Sequence, residues 1–529
     1  MGTSRKLVLG IWVTLATSAL AAPASAQLVD KTRAPNVAGE GINKSFAQQI
    51  GAGRGNVNTP NSSAFIIARD PFRAVRRGRQ LFQRKFTLEQ GQGPLTGDGA
   101  GDINRELIIG AGLADSCAAC HASPRGSAGA GGDVVTRPDS RNAPHLFGLG
   151  LKEMIADEIT FELRRIREGA IAEARSSGRN ARKLLFVRQG MDYGFITGRP
   201  DGTVDTSEVD GVNPDLRVRP FFLHGETISI REFLVGAFNA EMGLEAFDPD
   251  LLAASRGGRI VTPSGMVLDG STDLIEAPPA TSEIDDPDRD GIDNEIPTSI
   301  VDFMEFYLLN YFKAGLGQQN AVTQAGRDTF AQIGCTVCHQ PDITIARDRR
   351  VADLDTVFDV NRGIFNRLFA TATALFQEVP DASGHPVQKR PLNGGFIVRN
   401  IFTDFKRHDL GPNFHERNYD GTIRREFLTA ALWGVGTTAP YGHDGRSINL
   451  TEVILRHGGE AQAARNAFAN LSATNQANVL AFLSSLTLFP PDDTASTLNP
   501  GNRAAPGFPQ VGHGSISLTV LFNNPNDVE

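Results

Sequence analysis

Hydrophobic and polar positions divide this chain unevenly. Arg5 and Lys6 are followed by an apolar run from Leu7 to Ala22 and by Ala24-Ser25-Ala26. A charged start, a short apolar stretch and a small-residue site predict a cleaved leader over residues 1–26. Residues 27–65 are polar and rich in Gly, Asn and Ser, the make-up of an extended or poorly ordered arm. Helical periodicity is expected over Ser229 to Phe238 and over Leu450 to His457. It returns where Val479, Leu480, Leu483 and Leu486 follow a capping Ser472. Beyond Pro490-Pro491 the period is lost, although Ile516 to Phe522 has the composition of a late strand. No run after the leader approaches the ~20 apolar residues of a membrane span.

One five-residue stretch occurs twice: Cys117-Ala-Ala-Cys120-His121 and Cys335-Thr-Val-Cys338-His339. Two thiols at this spacing can add across the vinyl groups of a haem, and the next His can reach the iron. The pattern is the attachment signature of haem c. A disulfide, a redox dithiol or a zinc site are the rival readings. The two clusters lie far apart in sequence, which disfavours one shared zinc site, and a dithiol gives no reason for His in both. All four cysteines are used.

The surroundings of the motifs repeat as well. Gly78-Arg79-Gln80-Leu81-Phe82 precedes the first and Gly326-Arg327-Asp328-Thr329-Phe330 the second. Later, Pro220 to His224-Gly225 parallels Pro440 to His443-Asp444-Gly445, and each is followed by a helical segment. Such a duplication predicts a mainly α fold of two tandem cytochrome c-like haem domains with long loops and insertions. The expected units are 66–244 with the first haem and 315–490 with the second. An insertion and linker spans 245–314, and a tail 491–529. Within the first unit, Gly91 to Pro94 and Gly97 to Gly101 form a loop that the second lacks.

Composition adds context. The chain has 529 residues, with 56 glycines, 29 prolines and 7% aromatics, as befits loops wrapped round a cofactor. Its formal charge of −8 becomes more negative by two when Arg5 and Lys6 are removed, which argues against nucleic acid and permits a basic redox partner. The leader predicts export to the periplasm, where haem c is attached.

Thr438-Ala-Pro-Tyr-Gly-His443-Asp-Gly-Arg446 and the later His457-Gly-Gly-Glu460 resemble the bacterial di-haem cytochrome c peroxidase superfamily. Within it the chain is most similar to the di-haem oxidoreductases, sometimes called thiol oxidoreductases. Ala143 to Gly150, Phe405 to Pro412 (with His408) and Phe427 to Gly436 carry the same resemblance, which runs from about Gly78 to Leu486. The thiol label carries little weight, because haem takes every cysteine.

In these peroxidases one haem stores an electron while the other reacts with hydrogen peroxide. The resemblance implies that the C-terminal haem transfers electrons, with His339 proximal and His457 as sixth ligand. Asn449, Glu452 and Gly458-Gly459 bound the short helix of His457, and capping of carbonyls at the helix end is the other reading of that residue. The usual peroxidase has Met there. His lowers the potential relative to Met, so the customary high- and low-potential roles are in question.

The N-terminal haem is then the reactive one. Relatives often carry a displaceable distal His just before an Asn-x-Pro matched by Asn142-Ala-Pro144. No His lies between Ser123 and Asn142, so an open or water-bound iron is expected. His145 is the nearest objection, with a backbone-bonded helix-start role as its alternative. Glu241 falls where the peroxidases have their catalytic acid/base, a solvated helix-end carboxylate being the bland reading. The inter-haem Trp of relatives is replaced by Phe222 or Leu223, and Trp433 is the only Trp outside the leader, a bridging aromatic or a core residue.

Asn142, Thr438 and Pro440 match the relatives' calcium site, the last two through carbonyl oxygens. Separately, Asp286, Asp288 and Asp290 before Gly291 form the first half of a calcium loop that Asp293 or Glu295 could complete, a solvated acidic turn being the alternative. A small periplasmic cytochrome c or a cupredoxin is the expected electron donor, and hydrogen peroxide or dioxygen the oxidant. The other functional classes left open are a di-haem oxygenase or oxidase acting on an organic, polymer or protein substrate, and a non-catalytic di-haem electron carrier.

Overall fold

The computed structural model describes residues 45–93, 114–122, 127–131, 142–358, 368–418 and 421–488. The expected leader, the start of the arm, the loop at Gly97, the tail and its late strand lie outside them. Part of the expected arm is folded. Ser45 caps the helix Phe46–Ile50, with Gln48 returning the bond, and Ser62 caps Ser63–Arg69.

Two helix crossings frame the cysteine motifs. Pro71–Gln83 crosses Thr298–Leu309, and Ala321–Gln332 crosses Ala473–Ser484. Each closes on the glycine that the duplication singles out. A Cβ at Gly78 would lie 2.3 Å from the Phe303 carbonyl oxygen, and one at Gly326 would lie 1.9 Å from that of Asn478. Aromatic rings flank both crossings, Phe82 with Tyr307 at 5.8 Å and Phe330 with Phe482 at 5.6 Å.

The second half of the duplication is equally visible. Phe221 bridges to Thr227 and Tyr441 to Ser447, both antiparallel. Ser229 then caps Ile230–Met242, and Asn449 caps Leu450–Arg456. In each, the Glu three residues past the cap reaches back to a backbone amide at 2.8 Å, Glu232 to Ile228 and Glu452 to Ile448.

The expectation of a mainly α protein of two cytochrome c-like domains is not met. Helix accounts for 35% and strand for 16%, spread over several small sheets, and the described residues show no clear two-domain all-helical architecture. Ala181–Phe186, Asp192–Gly198 and Val204–Asp205 form one antiparallel sheet beside the long helix Leu149–Ser177. Ala352–Phe358 pairs with Leu368–Ala374. Buried Ala352 and Leu354 alternate there with Asp353 and Asp355, a period of two rather than 3.6. The strands are short, and most pair across turns, so a reading that weighed the cysteine motifs and the glycine content assigned them to loops.

One hydrophobic core runs from Ile66 to Leu488, with a smaller cluster round Phe330, Phe402 and Phe482. Thr298–Leu309 falls in the stretch read as insertion and linker, yet every residue of it is buried. Arg231, fully buried, ties Ile230–Met242 to this helix through Asp302 at 2.9 Å and Glu305 at 3.1 Å, and takes Asp248 as well. A buried guanidinium is tolerated only with such partners.

Candidate functional site

The two cysteine motifs adopt the same turn. His121 N donates to the Cys117 carbonyl and His339 N to that of Cys335, each at 3.0 Å. The cysteines are half-buried and form no disulfide among the described residues, and burial pushes the Cys117 and Cys335 thiols up to about 12.

Three imidazoles share one arrangement. His121 Nδ1 lies 2.8 Å from the Pro144 carbonyl oxygen, His339 Nδ1 3.0 Å from that of Phe402, and His457 Nδ1 2.7 Å from that of Val453. A carbonyl only accepts, so in His339 and His457 Nδ1 carries the proton and the lone pair falls on Nε2, whereas His121 has the Gly129 carbonyl as a second backbone partner. Burial lowers His121 and His339 to about 4, and lowers His457 as well, which keeps all three neutral at pH 7. Neutral imidazole, oriented by a second acceptor, is the form that binds a metal. His457 thus caps a carbonyl at its helix end and still presents Nε2. It is also close enough to His339 to depress that ring's basicity.

His145 differs. Its Nδ1 accepts from Phe147 N at 3.2 Å, and the Trp433 carbonyl takes the proton on its other nitrogen. Burial holds it well below the usual histidine range. Both nitrogens serve the backbone, so neither is left for an iron. Trp433 itself is buried, with its ring against Gly148 and Nε1 lacking a partner among the described residues.

Glu241 occupies the last turn of Ile230–Met242, half-buried. Its carbonyl accepts from Ala114 N at 3.1 Å, three residues before Cys117, which brings this helix end to the first motif. Asn142 meets Pro440: its Nδ2 donates to the Pro440 carbonyl at 3.1 Å, while its buried Oδ1 has no partner among the described residues. Thr438 is half-buried two positions before Pro440.

Asp286, Asp288 and Asp290 do converge. Glu245 joins the first two and Glu295 the last two, with one oxygen from each residue of a set within 4.8 Å of the others. The sequence reading missed Glu245, because it lies 43 positions from Asp288 and no local pattern links them. It also missed the network of His408. Nδ1 of that ring bonds Glu460 at 2.6 Å and Nε2 bonds Asp404 at 2.9 Å. Burial works against the charge on His408, but the Asp404 bond raises its basicity. Cys338, Asp404 and His408 are close enough to hold a metal, yet two protonated nitrogens leave the imidazole no lone pair for one.

No helix among the described residues is long and apolar enough to cross a membrane. A family model described as "Di-haem oxidoreductase, putative peroxidase" matches residues 361–486. The matched region holds His408, Trp433, His443 and His457, and both cysteine motifs lie outside it. It supports an oxidoreductase that uses haem. No curated protein matches the chain.

Proposed function

We propose that the chain is an exported, periplasmic di-haem c-type peroxidase. Cys117, Cys120 and His121 would hold one haem. Cys335, Cys338, His339 and His457 would hold the other. The observation that carries this reading is the shared imidazole arrangement of His121, His339 and His457, each fixed through Nδ1 by a backbone carbonyl. The residues present fit the group, since paired thiols, neutral imidazoles and the orphan Nε1 of buried Trp433 suit a large apolar ring with polar edges.

Bound haem supplies a one-electron redox change and, where its sixth position is free, a site for the oxidant. The chain supplies the rest. His145 would stay off the first haem, because the backbone occupies both of its ring nitrogens, and hydrogen peroxide would be the oxidant admitted there. Glu241 would take a proton from one peroxide oxygen and return it to the other. Two electrons and two further protons would complete the reduction to two waters, the electrons coming from a small periplasmic cytochrome c or cupredoxin. An oxygen of Asn142 and the carbonyls of Thr438 and Pro440 would hold a calcium ion, a role that the buried, unpartnered Oδ1 of Asn142 supports.

Peroxide turnover of Glu241→Gln tests the assignment. Loss of a positioned acid/base should cost about 10²-fold or more, with the visible spectra of both haems unchanged. Turnover equal to wild type would remove Glu241 from the mechanism.

A further inference from the structure

We propose that Glu245, Asp286, Asp288, Asp290 and Glu295 form a calcium site that joins the 286–295 loop to the end of the Glu241 helix. The loop supplies Asp286, Asp288 and Asp290, whose carboxylates converge with two others from outside that series. Glu245 lies three residues past Met242, the helix end, and Glu295 lies at the exit of the loop. One set of oxygens within 4.8 Å joins Glu245, Asp286 and Asp288, and a second joins Asp288, Asp290 and Glu295. Asp288 belongs to both.

An acidic cluster alone could be a solvated turn, and Glu295 decides against that. It is only 3% exposed, and its Oε2 accepts from Glu245 N at 2.5 Å. Its Oε1 is buried without a hydrogen-bond partner among the described residues. Burying a carboxylate oxygen with nothing to bond it costs free energy that a cation at the site would recover. The charged groups that act most strongly on Glu295 and Glu245 are acidic. Asp288, Asp290 and Glu245 act on Glu295, and Asp285, Asp286 and Asp288 act on Glu245. Burial first, then this mutual repulsion, raises Glu295 to about 9, Glu245 to about 7 and Asp288 to about 6. A divalent ion relieves both effects at once. Oxygen-only donors, supplied by a loop and two flanking carboxylates, match the hard and geometrically tolerant coordination of Ca²⁺.

The site is built into the fold. Ile296 N donates to the Glu245 carbonyl at 3.1 Å, Gly93 N donates to that of Met242 at 3.3 Å, and Gly91 lies directly against the Glu295 carboxylate. An ion here would therefore hold the end of the helix that carries Glu241. That consequence rests on the peroxidase reading, whereas the ion site itself does not.

Calorimetric titration of the chelator-treated, full-length protein with Ca²⁺ tests it. Wild type should bind Ca²⁺ in a saturable event. Glu295→Gln should weaken one binding event by about tenfold or more. Asn142→Ala, at the other candidate position, should leave that event intact. Asp290→Asn, at an exposed position, guards against a folding defect in the buried variant and should weaken the same event. Equal Ca²⁺ affinity and stoichiometry in wild type, Glu295→Gln and Asp290→Asn would overturn the proposal, as would a titration in which wild type binds no Ca²⁺.

Discussion

Glu460 accepts a hydrogen bond of 2.6 Å from Nδ1 of His408, and this contact joins the two loops that carry His339's orienting carbonyl and His457. Glu460 lies three residues past His457. On the other side, His408 bonds Asp404 at 2.9 Å, two residues past Phe402, whose carbonyl holds His339 Nδ1. The junction is doubled, since Glu460 Oε1 accepts from Asp409 N at 2.8 Å and the Leu410 carbonyl accepts from Gly458 N at 2.9 Å.

Glu460→Ala removes both carboxylate bonds and should loosen the approach of His457. Because the Glu460 side chain is half exposed, the stability cost should be modest, about 1 kcal/mol. The spectroscopic effect should be larger: part of the low-spin signal of the second haem should convert to high spin. Electron spin resonance of the oxidised variant measures it, and an unchanged low-spin fraction would show that the loop holds His457 without this contact.

The two crossing glycines give a paired prediction. Alanine is the better helix former by about 1 kcal/mol in a free helix. Here its Cβ would enter the Phe303 carbonyl at Gly78 and the Asn478 carbonyl at Gly326. Overpacking of this kind costs about 1–3 kcal/mol, so Gly78→Ala and Gly326→Ala should each lower the melting temperature. A rise in either would mean that the helices part without loss.

Those glycines also show what the sequence makes legible. The repeated Gly-Arg pairs, the two cysteine motifs, the caps Ser229, Asn449 and Ser472, and the helices behind them are local signals, and the structure contains each. The helix read as Ser229 to Phe238 runs on to Met242, and Leu486 lies just beyond the last helix but is fully buried. The global architecture was not legible. Short strands such as Ile343–Ile345 form only by pairing with a distant segment, here Phe396–Val398, and Thr298–Leu309 enters the core because Gly78 admits it. Glu245 and Glu460 escaped for the same reason, since their partners Asp288 and His408 lie 43 and 52 positions away.

The acidic cluster predicts a particular dependence on pH. Glu295 titrates at about 9 in the folded chain, against an ordinary value of 4.5. A group raised on folding gives stability that is full below its unfolded value and is lost as pH rises through its folded value. Without calcium, wild type should therefore lose ground to Glu295→Gln as pH climbs from about 5 to about 9. With saturating calcium the order should reverse, because the ion binds the carboxylate that the variant lacks. Melting temperatures of both proteins across that range, with chelator and with Ca²⁺, check the sign. Parallel curves in chelator would show that Glu295 titrates normally.

Low-temperature electron spin resonance of the oxidised protein tests the central claim most directly. His145 is held by the backbone on both sides and His457 presents Nε2 near His339. One high-spin and one low-spin ferric signal should result, an open iron at His121 beside a bis-His iron at His339. Two low-spin signals would contradict the account: a protein side chain would then close the first haem, and the chain would be an electron carrier or an enzyme that needs activation before peroxide can enter.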